Sequence, residues 1–401
     1  MTSPVPAASH AYAAQLLICC AVGFACFFGS YLRIPVVPLY AAGLGASTSQ
    51  VGAINAAFMF MAGLLSIPAG LLSDRLGRRA VILGGLLVIA GSSFLLYLST
   101  TPGQMFIIYL LFGIGLAAFS PSMMSCVADV APRTHLGRAY GWYTLAVNVA
   151  MMLGPAAGGF LASAFGLRLV FLVSGGLILA MFFVTLALLH PSPSVLPVPA
   201  KRLAVLPDLR CLGRNRPYRA CLLATAGGCV AFGMFMTFVP LYVKELGMHA
   251  GHVGLVFAAQ ATANGLSRIP FGRLSDQVAD RSTLVLTGLV GVTAALALLG
   301  LFSSLPLLLV CAAGLGLGMG IAFTAIGALI ADVVPHELRG LAMGGYSTCI
   351  YLSMMLSAAS MGGVIGAVGY GRGFILAGAA SVVLTLMFRG LYRKTLVGVK
   401  G

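Results

Sequence analysis

Gln260, Asn264 and Arg268 fall at i, i+4 and i+8 in a run that is otherwise apolar. Residues four apart share one face of a helix, so the three make a stripe able to hydrogen-bond a polar solute and neutralise an anion. Arg268 precedes Asp276 by eight residues, about 12 Å along a helix. A guanidinium at that depth in hydrocarbon faces a cavity or a partner; snorkelling to the surface, or an ion pair with a loop acid, is the simpler alternative. Tyr31, Asn55 and Asn148 are the other polar side chains within long apolar runs that could join such a cavity, with Arg33 toward its outer mouth. Acids are missing there. Of the eight, Asp74, Asp129, Asp276, Asp280, Asp332 and Glu337 fall in short charged turns, Asp208 in a linker and Glu245 at the end of an apolar run. The six histidines also fall at ends or in loops. A cavity so lined is neutral to positive and suits an anionic, zwitterionic or polar neutral small molecule.

The elements that hold these residues are membrane spans. The chain of 401 residues is 60% hydrophobic and 8% charged, with mean hydropathy +1.04; an ordinary soluble domain is about 25% charged. The apolar runs reach about 20 residues, enough to cross hydrocarbon as helix, and the short alternating segments of a membrane β-barrel are absent. Twelve spans are expected, near 12–40, 51–72, 80–98, 104–127, 139–165, 167–189, 220–243, 253–274, 282–302, 306–330, 341–368 and 373–391. Residues 190–218 form a linker in which Pro191, Pro193, Pro197, Pro199 and Pro207 forbid a spanning helix and a cluster of Lys and Arg follows. It divides an N-terminal six-helix bundle, 1–189, from a C-terminal one, 219–401.

The net charge of +15 is a topology signal rather than a nucleic-acid footprint. Eighteen of the 23 Lys and Arg fall on one side of the spans; Arg33, Arg168, Lys244 and Arg372 fall on the other, and Arg268 lies within a helix. Basic residues stay on the cytoplasmic side, which places both termini inside and the protein in a plasma membrane, the inner membrane of a bacterium-like cell. No charged leader with a cleavage site precedes the first run, so that run is expected to remain as a span. The nine cysteines are scattered through apolar runs without metal or redox spacing.

One charged turn stands out, from Gly70 through Asp74, Arg75 and Gly77 to Arg78 and Arg79. A worn copy runs from Gly272 to Arg281 and keeps Ser275-Asp276. Val37-Pro38-Leu39-Tyr40 likewise recurs as Val239-Pro240-Leu241-Tyr242, and each of these pairs is offset by 202 residues. Ala128-Asp129-Val130 and Pro132 recur as Ala331-Asp332-Val333 and Pro335, offset by 203. Two homologous halves of this kind commonly enclose a site near the bilayer midplane.

With these features the chain resembles the major facilitator superfamily. Gly70 to Arg79 matches the family pattern G-x-L-x-D-R-x-G-R-R between the second and third spans. Gly141, Gly154, Pro155, Gly158 and Gly159 resemble the fifth-helix signature of proton-driven drug antiporters, except that Ala150 replaces one glycine. The family's fourth-helix arginine, four residues before a glycine, is missing, since Tyr109 precedes Gly113. The resemblance implies an all-α membrane protein of twelve transmembrane helices in two pseudo-symmetric six-helix bundles. It also implies proton-coupled export by alternating access, with the missing arginine set against the coupling.

On physical grounds Asp74 could accept hydrogen bonds from helix N-terminal amides of the opposite half. That would latch the cytoplasmic side shut and bias a two-state equilibrium. Asp129 is placed to pair with Arg78 or Arg79, whereas Arg75 needs no role beyond anchoring the loop. In the second half Asp276 and Asp332 persist but Asp280 replaces the counterpart of Arg78, so a weaker latch is expected. Pro155, beside Gly154, Gly158 and Gly159, suggests a bend that lets a neighbouring helix approach closely. An uptake permease or facilitator is the nearest alternative. A membrane sensor or scaffold that kept the fold is another, opposed by the near-intact first turn. Nucleotide-binding loops, metal-ligand clusters and nucleophile–base pairs are absent, so neither an enzyme nor a cofactor is implied. The expected partners are the small-molecule substrate, protons and the lipid bilayer, with no nucleic acid, and the protein is expected to be a monomer.

Overall fold

The computed structural model describes residues 6–132, 135–189, 205–278, 280–335 and 338–399. They form fourteen helices: α1 (Pro6–Arg33), α2 (Val36–Gly43), α3 (Thr48–Leu76), α4 (Arg78–Leu98), α5 (Pro102–Val130), α6 (Leu136–Phe165), α7 (Leu167–Leu188), α8 (Val205–Arg214), α9 (Arg216–Glu245), α10 (Ala250–Gln277), α11 (Arg281–Leu299), α12 (Leu305–Val333), α13 (Arg339–Val368) and α14 (Tyr370–Val399). Eleven helical segments among the described residues are long and apolar enough to cross a membrane, with α1 and α2 counted as one. The twelfth, α10, falls short because it carries the stripe of Gln260, Asn264 and Arg268 together with Arg273. It is nonetheless 28 residues long and lies between α6 and α12, as α3 lies between α13 and α5.

The first expected span is broken. α1 stops at Arg33 and α2 starts at Val36, because Pro35 has no backbone N–H and its ring blocks the preceding turn. Of the linker, residues 190–204 lie outside the described residues, and the rest begins with the ten-residue α8.

α1 to α7 pack as one six-helix bundle and α9 to α14 as another. The internal repeat is visible in their bonding. Tyr40 donates its hydroxyl to the carbonyl of Ser99 at 2.6 Å, and its counterpart Tyr242 donates to the carbonyl of Phe302 at 2.9 Å. In each half one tyrosine therefore ties the first span to the end of the third. Capping boxes start α3, from Ser47 and Gln50, and α5, from Thr101 and Gln104. They satisfy backbone N–H groups left over at a helix start.

The halves meet along two seams, α3 on α13 and α6 on α10. Both are tightest at the end opposite the charged turns. Thr48 donates to the carbonyl of Gly362 at 2.8 Å. A Cβ on Gly159 would lie 2.7 Å from the Cα of Gly254, and a Cβ on Gly52 would collide with the carbonyl of Ala358. Backbone meets backbone there because glycine has no side chain to keep the helices apart.

Candidate functional site

Between the halves lies a cavity of about 290 Å³. Tyr31, Asn148, Gln260, Asn264 and Arg268 all line it, so α1, α6 and α10 bring together five of the seven residues expected to bind substrate. The polar stripe of α10 is graded. Gln260 is buried against α12, where its amide nitrogen approaches the Met319 sulfur at 3.7 Å. Asn264, one turn on, accepts from Arg268 Nε at 3.0 Å. That hydrogen bond ties the guanidinium to its own helix at the cavity wall. Among the described residues, Arg268 is the one charged side chain in the lining.

Two expected lining residues are elsewhere. Asn55 is 4% exposed, off the cavity surface, and its amide nitrogen has no hydrogen-bond partner among the described residues. Arg33 does not reach an outer mouth; it is fully buried inside the first bundle. Its Nη1 donates to Ser92 Oγ at 3.0 Å and Ser93 Oγ at 2.8 Å, and its Cζ lies 3.8 Å above the centroid of Phe112. α1 ends at this residue, and α4 and α5 supply serines and aromatics around it in place of solvent.

The rest of the lining is aromatic and methionine-rich, which the sequence did not single out. Phe27, Phe58, Phe112, Phe232, Phe323 and Tyr351 supply rings, and Met59, Met151, Met152, Met236, Met319 and Met354 supply thioethers. Rings offer flat apolar contact, and methionine adapts to varied shapes. In a chain where most residues are apolar, nothing in their spacing separates these from residues that face lipid. The arrangement holds the apolar body of an organic molecule and presents polar groups and one cation to its head.

A second space of about 430 Å³ continues from the first and shares Phe27, Leu116 and Tyr351 with it. Ser66, Ile67, Ser120 and Pro121 line it from one half, and Gly344, Ser347 and Thr348 from the other. These residues lie toward the charged turns. The cavity is thus sealed by the glycine seams at one end and leads toward the charged end at the other.

At that charged end the bonding departs from the expected latch. Asp74 pairs with Arg78, four residues on in its own half, and among the described residues not with the opposite half. Arg78 Nε also reaches Asp129 at 3.2 Å, so one guanidinium joins α3, α4 and α5. Gly77 makes this possible with φ +91, a left-handed conformation that glycine adopts freely. Arg79 donates to the Leu186 carbonyl on α7, while Arg75 is exposed. A Cβ on Gly70 would meet nothing. In the second half Arg281, the counterpart of Arg79, pairs with Asp332 and also donates to the Ser275 carbonyl at 3.1 Å. Asp280 instead caps α11 by accepting from Ser282 N. The pair expected to be weakened is therefore rebuilt one residue later. The side chain of Asp276 lies outside the described residues.

The α6 glycines divide their work. Gly154 packs on Tyr31 and Gly158 on the Leu32 backbone within the first bundle, while Gly159 faces α10 in the other. Pro155 lies inside a helix that runs unbroken from Leu136 to Phe165.

Two six-helix bundles enclosing a central cavity, with charged turns repeated at one end, define a membrane transporter. The profile of the Major Facilitator Superfamily matches residues 19–252 and 221–400, and the chain belongs to that superfamily. It is similar to an uncharacterised MFS-type transporter, MJ1560, of Methanocaldococcus jannaschii, at 23% identity over 91% of this chain and 94% of that protein. It is also similar to the quinolone resistance protein NorA of Staphylococcus aureus, at 29% identity over 42% of this chain and 43% of NorA. Among solved structures, a point mutant of the nucleoside transporter NupG superposes with TM-score 0.81 at 14% identity, over 94% of this chain and 99% of that one. A bacterial homologue of the lysosomal transporter Spinster, in an inward-facing and occupied conformation, superposes with TM-score 0.76 at 17% identity, over 94% and 95%.

Proposed function

We propose that this transporter exports a small organic solute with an apolar or aromatic body and an anionic, zwitterionic or polar neutral head. It works by alternating access, with protons as the coupling ion. The observation that carries the substrate class is Arg268, the one charged side chain among the described lining residues, set on a cavity otherwise made of rings, thioethers and amides. The outward direction is supported by the glycine–proline signature of α6 and by the similarity to a quinolone resistance protein. The positive-inside rule puts the charged turns and both termini on the cytoplasmic face of a plasma membrane. On that assignment, the cavity leads toward the cytoplasm and is shut on the outside.

Facilitated diffusion or uptake is the second reading. It is favoured by the lack of any carboxylate among the described lining residues and by Tyr109 at the family's arginine position. Transport into inside-out vesicles, with and without an imposed pH gradient, separates the two. Accumulation that follows the gradient supports the exporter. Equilibration at the same rate in either direction, indifferent to pH, supports the facilitator.

A further inference from the structure

Arg33 is buried without a carboxylate near it among the described residues. One corner of its guanidinium, Nη1, is pinned by Ser92 and Ser93. The opposite edge, Nε and Nη2, has no acceptor among the described residues, and neither atom is exposed. Those two N–H groups are the parallel pair that grips a carboxylate side-on. Close by, Tyr109 is 1% exposed and its hydroxyl is also unpartnered. Unsatisfied donors in hydrocarbon are destabilising, and several of them together call for one acceptor.

The framework does not need this cation. The repeat places Phe235 at the position of Arg33 in the second half, and Phe235 is fully buried there. Ser92 and Ser93 both keep an acceptor in the Ile89 carbonyl, at 2.7 and 3.3 Å, whatever happens to Arg33.

The site adjoins the central cavity. Ser30, one turn before Arg33 on α1, and Ile34, just after it, line that cavity, and so do Phe58 and Phe112. The Phe112 ring covers the guanidinium at 3.8 Å and packs on Phe58 at 5.2 Å. The Phe112 ring thus stands between the Arg33 guanidinium and the space that Arg268 overlooks. Arg33 sits at the end of α1 nearer the glycine seams, and Arg268 sits on the side nearer the charged turns.

We propose that Arg33 is a second substrate subsite, specific for a planar carboxylate. It is reached when the Phe112 ring swings aside, and Tyr109 adds a third hydrogen bond. A carboxylate lies flat along the fork beside the stacked ring, whereas a tetrahedral sulfonate puts an oxygen out of that plane. A substrate head first drawn in by Arg268 is handed across the cavity to Arg33. This rests on the reading of the cavity as the substrate path, but not on the direction of transport or its coupling.

The test is thermal stabilisation of the purified full chain by phenylacetate, phenylmethanesulfonate and phenylacetamide, in the wild type, Arg33→Met, Arg33→Lys and Arg268→Ala. Both Arg33 variants are expected to lose about tenfold in affinity for phenylacetate and to keep their affinity for the sulfonate. Arg33→Met without ligand should be as stable as the wild type or more so, because it removes an unpaired buried charge. Arg268→Ala should weaken both anions alike. Phe112→Ala should speed phenylglyoxal modification of Arg33, read by mass spectrometry, and phenylacetate should slow it again. An unchanged carboxylate preference in both Arg33 variants overturns the subsite. So does a ligand-free Arg33→Met that unfolds or melts markedly lower, which would assign Arg33 to the fold. If neither anion stabilises even the wild type, the cavity reading itself fails.

Discussion

Gly159 and Gly254 touch backbone to backbone across the two halves, and a Cβ on the first would lie 2.7 Å from the Cα of the second. The contact belongs to the closed end of the molecule, so a side chain there should act on the equilibrium between states. Overpacking of this kind costs about 1–3 kcal/mol, roughly a 5- to 150-fold shift. Gly159→Val is therefore expected to open the sealed end while the protein still folds. Spin labels at Phe165 and Lys244, both exposed near that end, should move apart. Gly158→Val is the control. Its Cβ strikes the Leu32 backbone within one bundle, so it should lower the melting temperature without changing that distance in the surviving protein.

The two tyrosines of the repeat should behave as a pair. Tyr40→Phe and Tyr242→Phe each remove one hydrogen bond to a carbonyl at the end of the third or ninth span. Each is expected to destabilise by about 0.5–1.5 kcal/mol, with Tyr40→Phe at the larger end. Tyr40 also accepts from Arg168 Nε at 3.1 Å, so its loss strands a second group. Thermal melts of the two variants and of the double variant check this. The two tyrosines share no hydrogen-bond or ring partner among the described residues, so their effects should add.

Sequence reasoning reached the architecture because its signals are coarse and redundant. Apolar runs of spanning length, basic residues on one side and offsets of 202 and 203 residues all point the same way. The polar stripe on α10 was equally legible, because three polar residues at helical spacing stand out from an apolar background. The rings and methionines of the cavity were hidden by that same background. Arg33 was placed at a mouth because a cation at the end of a span resembles an interfacial anchor. Only the packing shows that Ser92, Ser93 and Phe112 enclose it. The counterpart of the Arg78 ion pair was missed because Asp280 took the matching position, and the guanidinium reappeared one residue on, at Arg281.

The charged turns should contribute little to stability. In the Arg78–Asp74 and Arg281–Asp332 pairs, 23% of each arginine side chain and 55% and 52% of the respective carboxylates remain accessible. Partly exposed pairs contribute about 0–1 kcal/mol. Asp74→Asn and Asp332→Asn are each expected to shift the melting temperature slightly and to leave expression normal. An effect on transport rate much larger than on stability would show that these pairs serve the conformational cycle.

Asn264 positions Arg268 through a single hydrogen bond of 3.0 Å. Asn264→Leu should raise KM for an anionic substrate severalfold with little change in maximal rate, because it loosens the guanidinium without removing its charge. Transport kinetics in proteoliposomes check this, with Asn264→Gln expected to recover part of the loss.

The most direct test of the account is the charge preference of the cavity. Ligands that bind only the folded state raise its apparent stability with the logarithm of their concentration over Kd. Purified wild type and Arg268→Ala are to be melted with matched anionic, neutral polar and cationic aromatic ligands at two pH values. Stabilisation of the wild type by the anionic and polar neutral ligands, with the anions losing their effect in Arg268→Ala, is the predicted result. Stabilisation by lipophilic cations, unaffected by Arg268→Ala, would contradict it.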